Sequence, residues 1–387
     1  MDPARTIVLT GGGTAGHVIP NLALLPLLAA AGWRAEYVGS EAGIEKKLVA
    51  EAGLPFYGIA SGKLRRYFDW KNFSDPFRIV LGIWQAWRIL GRVRPKLVFS
   101  KGGFVAVPVV VAARLRGIPV VIHESDLTPG LANRMAIPFA RAVCVSFRET
   151  LRHLPKDKAV QTGAPIRAEL FQGSREKGEA FLGLSAPEVG AQGAGAQGTG
   201  ARDAGAQVAG ARSAGAGRRP LLLIMGGSLG SRNLNAAVRA ALPGLLARYR
   251  IAHLCGKGGI DPALEGRAGY RQLEYVSAEM PDVLAAADLV LSRAGSNAIF
   301  EFLALRKPNL LVPLPLTASR GDQILNAKAF EAEGFSRVLA EEDIGPGRLE
   351  QELALLEAQA EMYREAMRAS PLRDGARHVM DVIARWA

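Results

Sequence analysis

The chain has 387 residues, a formal net charge of +12 and 49% hydrophobic residues, many of them alanines in one biased stretch. That length suits two or three domains with a sizeable core, and the basic balance selects anionic partners: a nucleotide, a nucleic acid or an anionic membrane surface. Its two cysteines, Cys144 and Cys255, lie beside apolar residues and form no CxxC pair, which argues against a zinc site and fits a reducing compartment.

From Met1 the chain runs straight into a strand-like stretch without an apolar region of signal-peptide length. No apolar run reaches ~18 residues without a charge, so no spanning helix is expected. Thr6–Thr10 predicts a short strand. Gly11-Gly12-Gly13-Thr14-Ala15-Gly16-His17 follows, then an apolar helical segment from Val18 to Ala31 in which Pro20 is tolerated as part of the first turn. Glycines of this kind let backbone approach a ligand and leave N–H groups exposed, although the pattern is neither a Walker A loop nor a strict G-x-G-x-x-G. A second strand is expected at Tyr37–Gly39 and a helix over Glu45–Gly53.

Arg65 to Lys96 interleaves aromatic residues with cations. Helical spacing from Pro76 puts Phe77, Val80, Leu81, Trp84 and Trp87 near one side. That side either packs on a sheet or lies in a membrane interface, with cations such as Arg78 and Arg88 on anionic lipid. Strands are expected at Leu97–Ser100, Val120–Ile122 and Ala142–Val145, with a turn at Lys101–Gly103, a helix over Pro108–Leu115 and another through Asn133 and Arg134. His123-Glu124-Ser125-Asp126 ends the middle strand, and such residues face the ligand crevice of a doubly wound fold. Gln161–Arg167 reads as an interdomain turn, from which Arg167 either reaches a ligand or is solvated. Ala168–Leu184 is expected to be helical. Ser185–Arg219 has almost no β-branched or large apolar residues. It cannot offset its ordering entropy and is expected to be a disordered insertion.

Order restarts at Pro220. Leu221–Met225 predicts a strand, Gly226-Gly227-Ser228-Leu229-Gly230-Ser231 a second glycine loop, and a helix starts at Asn233. The repeat of strand and glycine loop implies two similar α/β halves, each with a loop at a shared cleft. Strands are expected at Ile251–Cys255 and Glu274–Val276, and a helix over Asp282–Ala287. The apolar run Leu289–Leu291 then enters Ser292-Arg293-Ala294-Gly295-Ser296-Asn297-Ala298-Ile299-Phe300-Glu301. Gly295 breaks the strand, Ser296 or Asn297 caps a helix, and Glu301 lies a little more than one turn inside it. Free N–H groups and the helix dipole at such a start suit a phosphate, and the carboxylate suits a sugar diol. The alternative is an ordinary strand–turn–helix. Asn309–Val312 predicts a further strand, a helix runs through Asn326 and Ala327, and the last covers Ala376–Trp386.

GGGTAGHVIP, KGGFVAVP, GIPVVIHESDLTPGLANR, TGAPIR, MGGSLGSRNLN, SRAGSNAIFE and SRGDQILNA stand in that order along nearly the whole chain. In that order they resemble the MurG family of bacterial glycosyltransferases, which add N-acetylglucosamine to the lipid-linked muramoyl-pentapeptide precursor of peptidoglycan. The resemblance implies an α/β fold of the GT-B kind, two Rossmann-like domains facing a cleft. Residues 1–163 would form the acceptor- and membrane-facing domain and 164–387 the UDP-sugar domain, with 185–219 an insertion and the final helix, about 376–386, crossing back. It implies UDP-N-acetylglucosamine as donor, an undecaprenyl-linked muramoyl-pentapeptide as acceptor, and peripheral attachment to the anionic cytoplasmic face of the bacterial membrane. It implies no cofactor, no metal and no nucleic acid.

The same resemblance assigns residues. Glu301 would bind the ribose hydroxyls, and the N–H groups of the stretch Ser296, Asn297, Ala298, Ile299 and Phe300 would hold the diphosphate. Ser228 would touch phosphate, Val276 would meet the uracil edge through its backbone, and Arg167 would reach the nucleotide from the hinge. Asp322 and Gln323 would bind the transferred sugar, and Thr14, Ala15 and Gly16 would line the acceptor side. His17 is a candidate base because imidazole titrates near neutral pH, or it hydrogen-bonds backbone or phosphate in its own loop. Asp126 stands where the family often has asparagine, and either acts as base or replaces an amide in positioning. Ala15 stands where glycine is frequent and Leu229 where glutamine is. No DxD-type acidic pair accompanies the second-half motifs, so the helix start rather than a metal would stabilise departing UDP. Two alternatives share these features: another sugar transferase of the same fold acting on a lipid acceptor, and a membrane-surface UDP-sugar-binding module without turnover.

Deleting Pro187–Gly217 is expected to leave the melting temperature nearly unchanged, because a disordered loop adds nothing to a core and closure entropy varies slowly with loop length. Calorimetry of the full and shortened chains checks this, and a large fall would show the segment docked.

Overall fold

The computed structural model describes residues 5–62, 71–184, 218–227, 230–319 and 321–387. Most of the insertion, the aromatic–cationic residues before 71, and Ser228 and Leu229 of the second glycine loop lie outside the described residues. Two sheets carry the fold. The first holds β1 (Arg5–Thr10), β2 (Trp33–Ser40), β3 (Phe56–Ile59), β4 (Leu97–Ser100), β5 (Val120–Glu124), β6 (Ala142–Val145) and β7 (Ala159–Gln161), in the order β3-β2-β1-β4-β5-β6-β7. The second holds β8 (Leu221–Met225), β9 (Arg250–Leu254), β10 (Tyr270–Leu273), β11 (Leu289–Ser292), β12 (Asn309–Leu311) and β13 (Arg337–Val338), in the order β10-β9-β8-β11-β12-β13.

Neighbouring strands pair in parallel throughout, as in β1 with β4 and β8 with β11. Helices cover both faces, so the strands read as continuous apolar runs: Ile7, Val8 and Leu9 are all fully buried, whichever face they point to. Each sheet reverses its strand order once, at β1/β4 and at β8/β11. The loops after those four strands therefore diverge and leave a crevice at the carboxyl ends.

Two helical expectations and one strand expectation need correction. The segment after the first glycine loop is two helices, Ala15–Leu22 and Leu25–Ala30, and Pro20 lies in the second turn of the first rather than in its first turn. Ala168–Leu184 is broken at Gly173 and Ser174 into a 3₁₀ turn, Ala168–Gln172, and a helix, Arg175–Leu182, capped by the Ser174 side chain. Glu274–Val276 is loop; the strand there is β10, ending at Leu273. The helices Pro346–Ala358 and Ala360–Ala369 were not anticipated.

The two halves exchange anchors. The last helix, Gly375–Trp386, puts Val379, Val382 and Ile383 into the core beside Ile7 and Leu9 of the first sheet. In return Phe147, just after β6, enters the core of the second half, its ring edge-on to Phe300 at 5.2 Å and to Phe330 at 5.9 Å. On the helix Lys71–Val93 it is Ala86 and Leu90 that face inward. The opposite side carries Phe77, 78% exposed, and Trp84, 52% exposed, with Val80, Leu81 and Trp87 also exposed. The apolar side read from the spacing thus does not pack on the sheet. Among the described residues no helix is long and apolar enough to cross a membrane.

Candidate active site

The crevice of the second half is built around the turn after β11. Gly295 is the N-cap of the helix Ser296–Leu305, and Ser296 is its first residue, so neither Ser296 nor Asn297 caps it. Ile299 N–H donates to the Gly295 carbonyl at 3.2 Å, which leaves the earlier N–H groups, those of Ser296, Asn297 and Ala298, without an intrahelical acceptor. Ile299 and Phe300 turn into the core. The backbone N–H groups left open at this helix start are therefore those of three residues. Beneath it Arg293 is 5% exposed, and its Nη2 donates to Ser231 Oγ at 2.6 Å while Nη1 donates to the carbonyls of Val312 and Pro313. It also pairs with Glu341. One guanidinium thus ties the helix after the second glycine loop to the ends of β11 and β12.

Glu301 follows, one turn in, and accepts Arg167 Nη2 at 3.4 Å. Burial raises its carboxyl pKa, with Arg167 opposing. Val276 is buried beside this core. Gln323 Oε1 accepts Leu314 N–H at 3.1 Å, which leaves its amide NH2 as the group to offer a ligand.

In the first half the glycine loop is occupied from within. Glu45 is fully buried, and its carboxylate accepts the N–H of Gly13 at 3.2 Å and of Ser40 at 2.9 Å. Gly12 N–H donates to the Gly102 carbonyl. A Cβ on Gly12, Gly39 or Gly43 would stand 2.4, 2.8 or 2.2 Å from Glu45 atoms. These glycines make room for a carboxylate of the chain itself, and the expectation that the loop leaves its N–H groups for a ligand fails at Gly12 and Gly13. Thr14 stays exposed, with Oγ1 3.1 Å from His17 Nδ1. Burial, then the nearby Lys101 charge, lowers His17 to about 4, so the ring is neutral at pH 7.

The floor after β4 and β5 holds groups that sequence reasoning did not assign. Lys101 Nζ lies 2.8 Å from His123 Nδ1 and also donates to Ser125 Oγ. Burial brings its pKa down to about 8, against the pull of Glu124 and Asp126. His123 Nε2 lies 2.9 Å from the Gly163 carbonyl, which makes Nε2 the protonated nitrogen and Nδ1 the acceptor for Lys101. Burial and then Lys101 hold His123 well below its usual pKa. Glu124 accepts Asp126 N–H, Gly130 N–H and Asn133 Nδ2, at 3.0, 2.9 and 2.8 Å, and so shapes the loop that presents Asp126. The signal for Lys101 was its place after a strand in KGGFVAVP. For Glu124 it was the HESD strand end.

Among the described residues three hydrogen bonds cross the cleft. Asn297 Nδ2 donates to the Gly16 carbonyl at 3.1 Å, Thr128 Oγ1 to Asp322 Oδ1 at 3.3 Å, and Asn326 Nδ2 to Asp126 Oδ1 at 3.5 Å. The structure thus brings Gly16, Asp126, Asn297 and Asp322 to one seam, with Thr14 and His17 beside Gly16 and Gln323 beside Asp322. Arg167, Glu301 and Ser296 lie in the second half behind it.

The model of the Glycosyltransferase family 28 N-terminal domain matches residues 7–145, and that of the Glycosyltransferase family 28 C-terminal domain matches residues 221–382. A Geobacillus thermodenitrificans protein named UDP-N-acetylglucosamine--N-acetylmuramyl-(pentapeptide) pyrophosphoryl-undecaprenol N-acetylglucosamine transferase is 48% identical over 384 residues, 99% of each chain. A Bacillus cereus protein of the same name, numbered 2, is 49% identical over 364 residues, 94% of this chain and 95% of its own. Among solved structures, Acinetobacter baumannii MurG superposes with a TM-score of 0.72 at 25% identity, covering 98% of this chain and 99% of its own. The UDP-GlcNAc 2-epimerase from Neisseria meningitidis bound to UDP-GlcNAc reaches 0.65 at 12% identity over 98% of this chain and 100% of its own, a likeness of fold alone.

His17 gives a pH test. Its folded pKa of about 4 lies below the unfolded value of about 6.5. Between the two the unfolded chain binds more protons, so His17 makes stability fall as pH drops through that window. The His17→Asn variant is expected to lose less of its melting temperature between about pH 7 and about pH 4.5 than the parent does. Equal losses would place His17 in open solvent.

Proposed function

The chain belongs to glycosyltransferase family 28, and from that premise we infer that it transfers N-acetylglucosamine from UDP-N-acetylglucosamine to the lipid-linked N-acetylmuramoyl-pentapeptide, with inversion. The observation that carries this reading is the likeness to transferases of that name at 48–49% identity over 94–99% of the chain. The product is the lipid-linked disaccharide-pentapeptide used for peptidoglycan. The boundary between acceptor and donor domains falls at Gly163–Ala164.

Inversion requires one displacement: the acceptor hydroxyl attacks the anomeric carbon, the bond to the UDP oxygen breaks on the opposite face, and the hydroxyl proton leaves to a base. The N–H groups of Ser296, Asn297 and Ala298 receive the diphosphate, and their fixed dipoles stabilise the charge that grows on it as the bond breaks. Glu301 accepts the ribose hydroxyls, held in place by Arg167. Val276 meets the uracil through its backbone, and Ser228, outside the described residues, touches phosphate. Asp322 and the Gln323 amide orient the transferred sugar.

Thr14, Ala15 and Gly16 line the acceptor side with His17. If Nδ1–H donates to Thr14 Oγ1, Nε2 is the free lone pair that takes the proton. In the empty cleft that imidazole is a weak base, and an anionic diphosphate beside it raises its pKa toward the working pH. Asp126, which faces the second half through Asn326, positions the seam.

The exposed face of the helix Lys71–Val93 supports docking on the cytoplasmic leaflet. Trp84 carries Arg88 above its ring at 4.9 Å, and Trp87 carries Arg116 at 3.9 Å, a pairing of rings and cations suited to an anionic headgroup layer.

Radiolabelled UDP-N-acetylglucosamine and the lipid-linked muramoyl acceptor should give labelled lipid. UDP-sugar binding without transfer would favour a binding module, and transfer only to another lipid acceptor would favour a different transferase. Glu301→Ala should raise the donor KM by at least about tenfold, since a charge-assisted hydrogen bond contributes about 1.5–3 kcal/mol. An unchanged KM would remove Glu301 from the donor site. Reversing charge at Arg78 and Arg88 to glutamate should cut binding to anionic vesicles at low salt, each cation being worth about 1 kcal/mol there, and should spare turnover on a short-chain soluble acceptor. Equal vesicle binding by the folded variant would move the docking surface elsewhere.

A further inference from the structure

In an α-helix the carbonyl of residue i accepts the N–H of residue i+4. Pro20 has no N–H, so the Gly16 carbonyl, near the start of the helix Ala15–Leu22, lacks that partner. It accepts Asn297 Nδ2 instead, at 3.1 Å, from across the cleft. This is the shortest of the three cross-cleft bonds described, and unlike the Asn326 amide, which also donates to the Ala294 carbonyl, that of Asn297 has no second acceptor among those described. A Cβ on Gly16 would stand 3.4 Å from Asn297 Nδ2 and 3.6 Å from Thr14 Oγ1.

We propose that Asn297 is a positioning residue, whose side-chain amide seats on the carbonyl that Pro20 leaves open and so sets the loop of Thr14 and His17 against the start of the helix Ser296–Leu305. The inference rests on the reaction assigned above. Asn297 then serves twice: its backbone N–H faces the donor diphosphate, and its side chain holds the wall that carries the base. A diphosphate that fixes the helix start also fixes the amide, so donor occupancy and placement of His17 are joined through one residue. Reacting atoms must come within about 3–3.5 Å, and a misplacement of about 1 Å costs up to about a hundredfold, so a single hydrogen bond at this seam is enough to govern rate.

The test uses Asn297→Ala, Pro20→Ala and the double variant in the full chain. Asn297→Ala keeps its backbone N–H, so the donor KM should stay near the parent value while kcat falls by about ten- to a hundredfold. Pro20→Ala supplies the Gly16 carbonyl with an N–H from its own helix. Alanine also favours that helix, so the melting temperature should hold or rise while kcat falls. Because both changes remove one bond, the double variant should be no slower than Asn297→Ala alone. Spin labels at exposed Glu51 and Arg271, one on each half, give a readout without turnover: UDP-N-acetylglucosamine should narrow their distance distribution in the parent and not in the variants. An unchanged kcat in Asn297→Ala, losses that add in the double variant, or a KM rising in step with a lower melting temperature would each overturn the proposal. If the parent makes no labelled lipid, the reaction reading fails, and the label distances still decide whether Asn297 joins the halves.

Discussion

Parallel strands deliver all their carboxyl ends to one edge of a sheet, and where strand order reverses the two loops that follow must part. That constraint operates twice here, at β1/β4 and at β8/β11. It puts Gly11–His17 and Lys101–Gly103 on one side of a crevice, and Gly226, Gly227 and Arg293–Ser296 on the other. The halves face each other because each holds part of the other's core, Phe147 in the second and the last helix in the first. Each anchor is part of the core it enters, so the packing of each sheet depends on the other half. The cleft is therefore a consequence of topology plus two exchanged segments, and the side chains within it only decide its chemistry.

The first half places an ionisable chain where an apolar core would be more stable. Lys101, His123 and Glu124 are buried in sequence along the floor. Each is satisfied by a neighbour: Lys101 by His123 and Ser125, His123 by the Gly163 carbonyl, Glu124 by two backbone N–H groups and Asn133. Burying charge this way costs free energy that only good geometry offsets, and breaking one partner leaves an uncompensated group. The chain reaches from the floor to Gly163, at the connector between halves. Burial is the first cause of the shifts at Lys101, His123 and Glu124, and the network lies beside the cleft.

The strands were legible because buried parallel strands are apolar throughout, and Leu97–Ser100, Ala142–Val145 and Leu221–Met225 coincide with β4, β6 and β8. Helix punctuation was less so. Gly173-Ser174 reads as tolerable inside a helix until Asp282 is seen to accept the Ser174 N–H, a contact 108 residues away in sequence. Pro20 looks like a first-turn proline until Ala15 is found to start the helix. The aromatic face of Lys71–Val93 had the right spacing for packing, and only the structure shows that Ala86 and Leu90 take the inward side. Of the site, the helix start and Glu301 could be read from local pattern, whereas the cross-cleft bonds could not, since Gly16 and Asn297 are 281 residues apart.

The first glycine loop and the helix start at Ser296 both suggest open N–H groups as sequence, and differ as chemistry. In the first, Glu45 and the Gly102 carbonyl already take the N–H groups of Gly13 and Gly12, and a carboxylate stands where a phosphate would need positive potential. An anion brought there would meet a buried negative charge at short range. In the second half no carboxylate of the described residues accepts the N–H groups of Ser296, Asn297 and Ala298, and Glu341 pairs instead with Arg293 and Asn233. The dipole at that start is left open to an anion, with Arg293 in the turn before it and Arg167 paired to Glu301 within the helix. A diphosphate is thus favoured at the Ser296 helix start and disfavoured at Gly12 and Gly13. That asymmetry fits the proposed placing of the donor on the second half, and the proposed acceptor then meets the first half, where His17 is neutral at pH 7.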